Sequence, residues 1–137
     1  MIYLDACVVI YCVEEHPLYA PRVEEKLASC DDILCYSPLV EMECLIAPLR
    51  AQRLEVTSKF ENFLKHCLKL SLVDDIFVRA AHLRAKSSLK TPDAIHVAAA
   101  QFYGCSEFWT NDTRLALLLG SWAINVCAFT QLSADGL

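Results

Sequence analysis

Short apolar runs alternate along this chain with longer stretches in which apolar residues recur at helical spacing. Ile2-Tyr3-Leu4 reads as a buried strand that ends on Asp5. Val8-Val9-Ile10-Tyr11-Cys12-Val13 is apolar throughout, and periodicity leaves it open between strand and helix. Pro17 and Pro21 punctuate the next stretch, after which residues 22–29 read as an amphipathic helix with Val23 and Leu27 inward. Asp31-Asp32 marks a turn before a second buried strand, Ile33-Leu34-Cys35-Tyr36. Ser37-Pro38 is a helix-start signal, a hydroxyl at the N-cap followed by proline at the first helical position. Leu39, Met42, Ile46 and Leu49 continue at helical spacing, and Pro48 is expected to bend or end that helix near residue 47.

The second half repeats the alternation. Residues 52–67 read as a longer amphipathic helix, and Leu70-Ser71-Leu72-Val73 as a third strand. Asp74 or Asp75 can cap a helix that runs to about Ser87. Thr91-Pro92 repeats the hydroxyl-proline start of a helix that stops at Gly104. Glu107-Phe108-Trp109 is a fourth strand, Asn111-Asp112-Thr113 opens a helix ended by Gly120, and residues 123–126 form the last strand candidate. Strands alternating with helices predict an α/β fold with a mostly parallel sheet. In such sheets functional residues collect beyond the carboxyl ends of the strands, at a topological switch point.

Composition narrows the picture. A chain of 137 residues with 55% hydrophobic residues, three Gly and five Pro fits one domain with a substantial core and no long linker. No apolar run approaches the ~18 residues of a membrane span, and Asp5 interrupts the N-terminal apolar run. The expectation is a soluble cytoplasmic protein. The eight cysteines contain no C-x-x-C pair and mostly lie among apolar residues, which predicts reduced, buried thiols in place of disulfides or zinc ligands. A net charge of −5 weighs mildly against nucleic-acid binding. Lys86, Lys90, Arg84 and Arg114 lie near acids in sequence and soften that inference.

Four acids stand where strands end or helices begin: Asp5, Glu43 with Glu41 as its competitor, Asp93 and Asp112. Gathered together they could not all stay ionised without a cation, and oxygen-rich sites of this kind hold Mg²⁺ or Mn²⁺. Each also has a structural reading, since a carboxylate at a helix start is favoured by the helix dipole. Asp5 is the hardest to explain structurally, because a charge between Leu4 and Ala6-Cys7-Val8-Val9 needs a partner or a metal. Glu41 and Glu43 lie about 200° apart around a helix, so spacing does not choose between them. His96 shares a helical face with Asp93 but has no evident nitrogen or sulfur ligands beside it, which favours a packing or hydrogen-bonding histidine over zinc. A second acid two residues after Asp5, as in haloacid dehalogenases, is absent because that position is Cys7.

Four motifs in order resemble the PIN domain: Ile2-Tyr3-Leu4-Asp5, Ser37-Pro38-Leu39 with Glu43, Leu89-Lys90-Thr91-Pro92-Asp93-Ala94-Ile95-His96, and Thr110-Asn111-Asp112. The branch they resemble most is the VapC-like toxins of bacterial type II toxin–antitoxin pairs. The resemblance spans essentially the whole chain and implies a single PIN-like nuclease domain over residues 1–137. It implies a three-layer α/β/α fold whose central sheet has four to five mostly parallel strands. It also implies an endoribonuclease using Mg²⁺ or Mn²⁺, restrained by a small antitoxin and acting as a homodimer. Asp5, Glu43, Asp93 and Asp112 match the acidic quartet. Asp5, Asp93 and Asp112 would be the main metal ligands, and Glu43 would act through a water or as base. Thr110 matches a supporting hydroxyl, while Lys90, Arg114 and His96 are candidates for substrate contact. The resemblance also selects Glu43 over Glu41.

One departure stands out. The family usually carries a Thr or Ser and then an Asn or Ser directly after the first acid, where this chain has Ala6 and Cys7. Losing such orienting groups weakens metal affinity or rate by about 10–100-fold. That departure and the negative charge keep a second expectation open, a weakly active or inactive PIN-like module that binds RNA or protein.

Overall fold

Residues 1–128 are described by a computed structural model; residues 129–137 of the expected domain lie outside the described part. Among the described residues five short strands form one sheet: β1 (Ile2–Leu4), β2 (Leu34–Tyr36), β3 (Leu68–Lys69), β4 (Glu107–Thr110) and β5 (Ala123–Asn125). Their order is β3-β2-β1-β4-β5, and every pairing is parallel. The strands are apolar on both faces because helices cover both: Ile2, Tyr3, Leu4, Cys35, Tyr36, Phe108 and Trp109 are all buried. This is a three-layer α/β/α arrangement, as expected, with the sheet all-parallel.

Seven α-helices among the described residues fill the connections: α1 (Ala6–Val13), α2 (Ala20–Ala28), α3 (Pro38–Arg50), α4 (Leu54–Leu64), α5 (Asp74–Lys86), α6 (Thr91–Phe102) and α7 (Thr113–Leu119). The ambiguous run after Asp5 is therefore helix. α3 and α4 pack beside α1, and α5 lies along α6. The small buried face of α6, Ala94, Ala98, Ala99 and Ala100, lets its backbone approach its neighbours closely. Burial of Phe60, Ile76, Phe108 and Trp109 contributes roughly 1.5–3 kcal/mol each to the core.

Several boundaries differ from the sequence expectation: α2 starts two residues early, at Ala20, Ile33 is exposed and outside β2, β5 ends at Asn125, and Val73 is the N-cap of α5 with Asp74 and Asp75 in its first turn. Three further differences are larger. Residues 70–73 are not a strand; β3 comes earlier, at Leu68–Lys69. Among the described residues its only partner is β2, which ends at Tyr36 where Ser37-Pro38 turns into α3, so the Leu70 amide on the Tyr36 carbonyl (2.8 Å) is the last rung. α3 continues through Pro48 to Arg50, with the proline ring buried against the core. The long helix expected over 52–67 is shortened to Leu54–Leu64, because Gln52 takes a left-handed turn (φ 56°) that separates α3 from α4.

The order of strands places the site. From β1 the chain proceeds to β2 and β3 on one side, and later to β4 and β5 on the other. The switch point therefore lies between the adjacent strands β1 and β4, whose register pairs Leu4 with Trp109. Asp5 follows β1 directly, and its amide bonds the Trp109 carbonyl at 2.9 Å.

Candidate active site

Asp5 and Asp112 are brought together because their strands are neighbours, and each caps the helix that follows. Asp5 is the N-cap of α1; its Oδ1 accepts from the Ala6 amide at 2.8 Å. Its Oδ2 accepts from the Thr110 hydroxyl at 2.9 Å. Thr110 Oγ1 in turn accepts from the Asp112 amide at 3.1 Å, so one fully buried hydroxyl ties the two strand ends. Asp112 caps α7, with Oδ1 accepting from the Arg114 and Leu115 amides at 2.9 and 3.1 Å. The capping reading and the site reading are thus compatible: both acids cap, and both stand at the switch point.

Glu43 reaches the same place from α3. Its Oε1 is hydrogen-bonded to His96 Nε2, and that nitrogen also lies 3.9 Å from Asp5 Oδ1. His96 Nδ1 is 2.8 Å from the Tyr3 hydroxyl, which is 2.8 Å from Ser37 Oγ. Burial is the leading cause that pushes the Tyr3 phenol far above its ordinary range, and it stays protonated. Ser37 holds the N-cap position of α3 as its sequence predicts, but its hydroxyl makes no cap bond and is spent on Tyr3. Glu41 goes elsewhere, to Lys69 Nζ at 2.6 Å on the β3 edge. α3 thus turns Glu43 toward His96 on α6 and Glu41 toward Lys69 on β3.

Asp93 comes from the first turn of α6 and is half-buried. Burial, then the charge of Asp5, then those of Asp112 and Glu43 raise its carboxyl above the ordinary value, with His96 pulling the other way. The other three acids therefore all act on Asp93. Among the described residues the Asp93 carboxylate has no hydrogen-bond or ion-pair partner. Asp93 and Asp112 also line a cavity of about 310 Å³ with Ser88, Leu89, Arg114, Leu115, Leu117 and Leu118.

The donor set fits a hard divalent cation in kind: carboxylate oxygens of concentrated negative charge, with a neighbouring thiol that burial, then Asp5, keeps protonated at Cys7. It is not a closed cage, since among the described residues no three His, Cys, Asp or Glu side chains stand ready to hold a metal. In the bonds above, Asp5, Asp112 and Glu43 each turn at least one oxygen to a local partner. Cys7 stands 4.0 Å from Thr110 Oγ1 and accepts from the Asn111 amide at 3.4 Å.

Lys90 precedes α6 as its N-cap residue and Arg114 lies in the first turn of α7; both are exposed beside the acids. His96, expected near substrate, is 1% exposed with both ring nitrogens engaged. Tyr3 and Ser37 were not singled out as site residues by sequence reasoning. The available signal was a phenol in an apolar strand two residues before Asp5, hence on the same face, where a buried hydroxyl must find a partner.

The comparisons with known proteins agree with this architecture. The family model for the PIN domain matches residues 2–118. The sequence has no significant match among curated proteins. Among solved structures, a toxin–antitoxin complex from Klebsiella pneumoniae superposes with a TM-score of 0.76 at 20% identity, covering 92% of this chain and 98% of that one. Mycobacterium tuberculosis VapC20, described as a Sarcin-Ricin loop cleaving toxin, superposes at 0.74 with 12% identity, covering 86% and 95%. VapBC2 from Rickettsia felis, bound to a DNA fragment from its promoter, gives 0.70 at 18% identity over 85% and 92%. At these identities the likeness is one of fold.

Proposed function

Because this chain belongs to the PIN domain family, we propose that it is a metal-dependent endoribonuclease and the toxin of a toxin–antitoxin pair, built as one nuclease domain. The observation that carries this reading is the gathering of the four acids about the switch point: Asp5 and Asp112 are joined through Thr110, Glu43 and Asp5 both stand near His96 Nε2, and Asp93 lines one cavity with Asp112. That solved structures of the same fold include a toxin and toxin–antitoxin complexes supports the toxin assignment.

Asp5, Asp93 and Asp112 would hold Mg²⁺ or Mn²⁺, which when bound neutralises the cluster and polarises the scissile phosphodiester. The protein's share is orientation and proton handling. Asp5 is fixed by the Ala6 amide and Thr110, and Asp112 by the first turn of α7, so both enter the reaction pre-aimed. Glu43, an acceptor at the rim, would take the proton of the attacking water. Lys90 and Arg114 would meet the RNA backbone and offset the chain's negative charge locally. Met42, Ile46 and Leu49 on α3 and Leu117 and Leu118 on α7 are exposed apolar residues, suited to cover by a second copy and by a small antitoxin. All eight thiols are free, in keeping with a cytoplasmic protein.

The test is expression of the unmodified chain alone beside Asp5→Ala and Asp93→Ala, with purified proteins assayed on RNA in Mn²⁺. Growth arrest and cleavage by the unmodified form only is the expected outcome. Equal harmlessness of all three, with no Mn²⁺-dependent cleavage, would sink the enzyme reading in favour of a binding module.

A further inference from the structure

Three polar side chains lie in the core beneath Glu43 without reaching solvent. Ser37 and Tyr3 are 0% exposed and His96 is 1% exposed. Burying a hydroxyl, a phenol and an imidazole stabilises nothing by itself, since shape-matched apolar residues at such positions are commonly neutral or better. Here the three bond one another and, through His96 Nε2, Glu43, and no buried side-chain nitrogen or oxygen among the described residues lacks a partner. The chain they form has a single exit, the partly exposed carboxylate of Glu43.

We propose that Ser37, Tyr3 and His96 form a relay of hydrogen bonds that holds Glu43 in place at the rim of the acidic cluster, His96 being its positioning residue. This rests on the nuclease reading above. With a neutral imidazole the direction of every bond follows from the one before. An ionised Glu43 only accepts, so Nε2 carries the proton and Nδ1 accepts from Tyr3; Tyr3, having donated, accepts from Ser37. An imidazolium would reverse the two hydroxyls and keep every contact. The geometry links three elements: Tyr3 on β1 stands two residues before Asp5, Ser37 precedes α3, and His96 lies one turn beyond Asp93 on α6. The relay therefore sets Glu43 relative to both Asp5 and Asp93. Glu43 also sits on the edge of the molecule, and without the imidazole a long carboxylate there would sample several rotamers.

Two substitutions at His96 separate positioning from packing. The amide nitrogen of Gln reaches the place of Nε2 and can still donate to Glu43. The amide of Asn reaches only the place of Nδ1, keeping Tyr3 and Ser37 paired while releasing Glu43. Positioning predicts that His96→Gln retains more kcat than His96→Asn; packing alone predicts the reverse, since Asn preserves the buried bonds. Tyr3→Phe should lower kcat about 10-fold with KM unchanged, the usual size of losing an orienting partner. Mn²⁺ affinity measured by calorimetry should change little in either Tyr3→Phe or His96→Asn, because Asp5, Asp93 and Asp112 are untouched. A crystal structure of His96→Asn should show Glu43 displaced.

An active unmodified chain whose Tyr3→Phe and His96→Asn forms keep full kcat overturns this inference alone. Should the His96 variants fail to fold, Tyr3→Phe decides by the same criterion. An unmodified chain that cleaves no RNA overturns the nuclease reading, and this one with it.

Discussion

Thr110→Val removes one oxygen and keeps the volume and branching that suit β4. In the folded protein that oxygen donates to Asp5 Oδ2 at 2.9 Å and accepts from the Asp112 amide at 3.1 Å, and it is fully buried. A hydrogen bond to a charged carboxylate contributes about 1.5–3 kcal/mol and one between neutral groups about 1 kcal/mol. Asp5 keeps its bond from the Ala6 amide, and the Asp112 amide is only partly buried, so water replaces some of the loss. The lower part of the range applies, about 2–3 kcal/mol. Unfolding entropy near 60 °C is roughly 2.1 cal/mol/K per residue, so for this size of chain each kcal/mol lowers Tm by roughly 3–4 °C. Thr110→Val should therefore melt about 7–10 °C below the parent in metal-free buffer, read by circular dichroism or calorimetry. Mn²⁺ binding should weaken about 10-fold as Asp5 loses its second anchor. Thr110→Ser, which keeps the hydroxyl, should lie within about 1 kcal/mol of the parent. A valine variant melting within 2 °C of the parent (roughly half a kcal/mol), or a serine variant as impaired as valine, would show that this hydroxyl does not tie the strand ends.

Asp93→Asn should stabilise the metal-free protein and abolish the rise in Tm that Mn²⁺ produces. The folded carboxyl is raised, so the native state holds its proton longer than the unfolded one; the associated stability is present at low pH and lost as pH climbs through the raised value. The Tm gap between Asp93→Asn and the parent should thus widen from pH 4 to 7 in chelator, and a gap independent of pH would count against the clustered acids. Saturating Mn²⁺ at about 100 times its Kd should stabilise the parent by about 2.7 kcal/mol, a shift that chelator reverses. Glu41→Gln should leave RNA cleavage unchanged and cost under about 1 kcal/mol, since its pair with Lys69 is exposed, whereas Glu43→Gln should lower kcat by about 10²–10⁴-fold. Equal effects of the two would remove Glu43 from the site. Lys90→Ala and Arg114→Ala should raise KM for RNA and flatten its salt dependence, by roughly 0.7 in the log–log slope for each phosphate no longer neutralised; an unchanged slope would place both outside the substrate path.

Much of this molecule was legible before folding. The short apolar runs of Ile2-Tyr3-Leu4 and Glu107-Phe108-Trp109, each ending near an acid, announce strands buried on both faces with functional residues at their carboxyl ends. The signal is strong because a strand packed on both sides has no solvent face to alternate with. Hydroxyl-proline and Asp-Thr pairs marked the starts of α3, α6 and α7 to within a residue, since the fixed φ of proline in the first turn and, at Asp112, a side-chain cap are local. What local signals could not carry was the strand status of residues 70–73, where a ladder exists only as far as its partner runs, or the continuation of α3 past Pro48, where packing outweighs one missing amide.

The acids show the division most clearly. The sequence by itself determined that Asp5, Asp93 and Asp112 stand at element ends, because helix-start signals and the end of an apolar run are local properties. Only the tertiary structure decided that β1 and β4 are neighbours, that α3 presents Glu43 to His96 and Glu41 to Lys69, and that the Ser37 hydroxyl serves Tyr3 in preference to its own helix. Each of those outcomes depends on contacts between residues tens of positions apart. Such contacts leave no periodicity in the chain, and only the closing of the core brings them about.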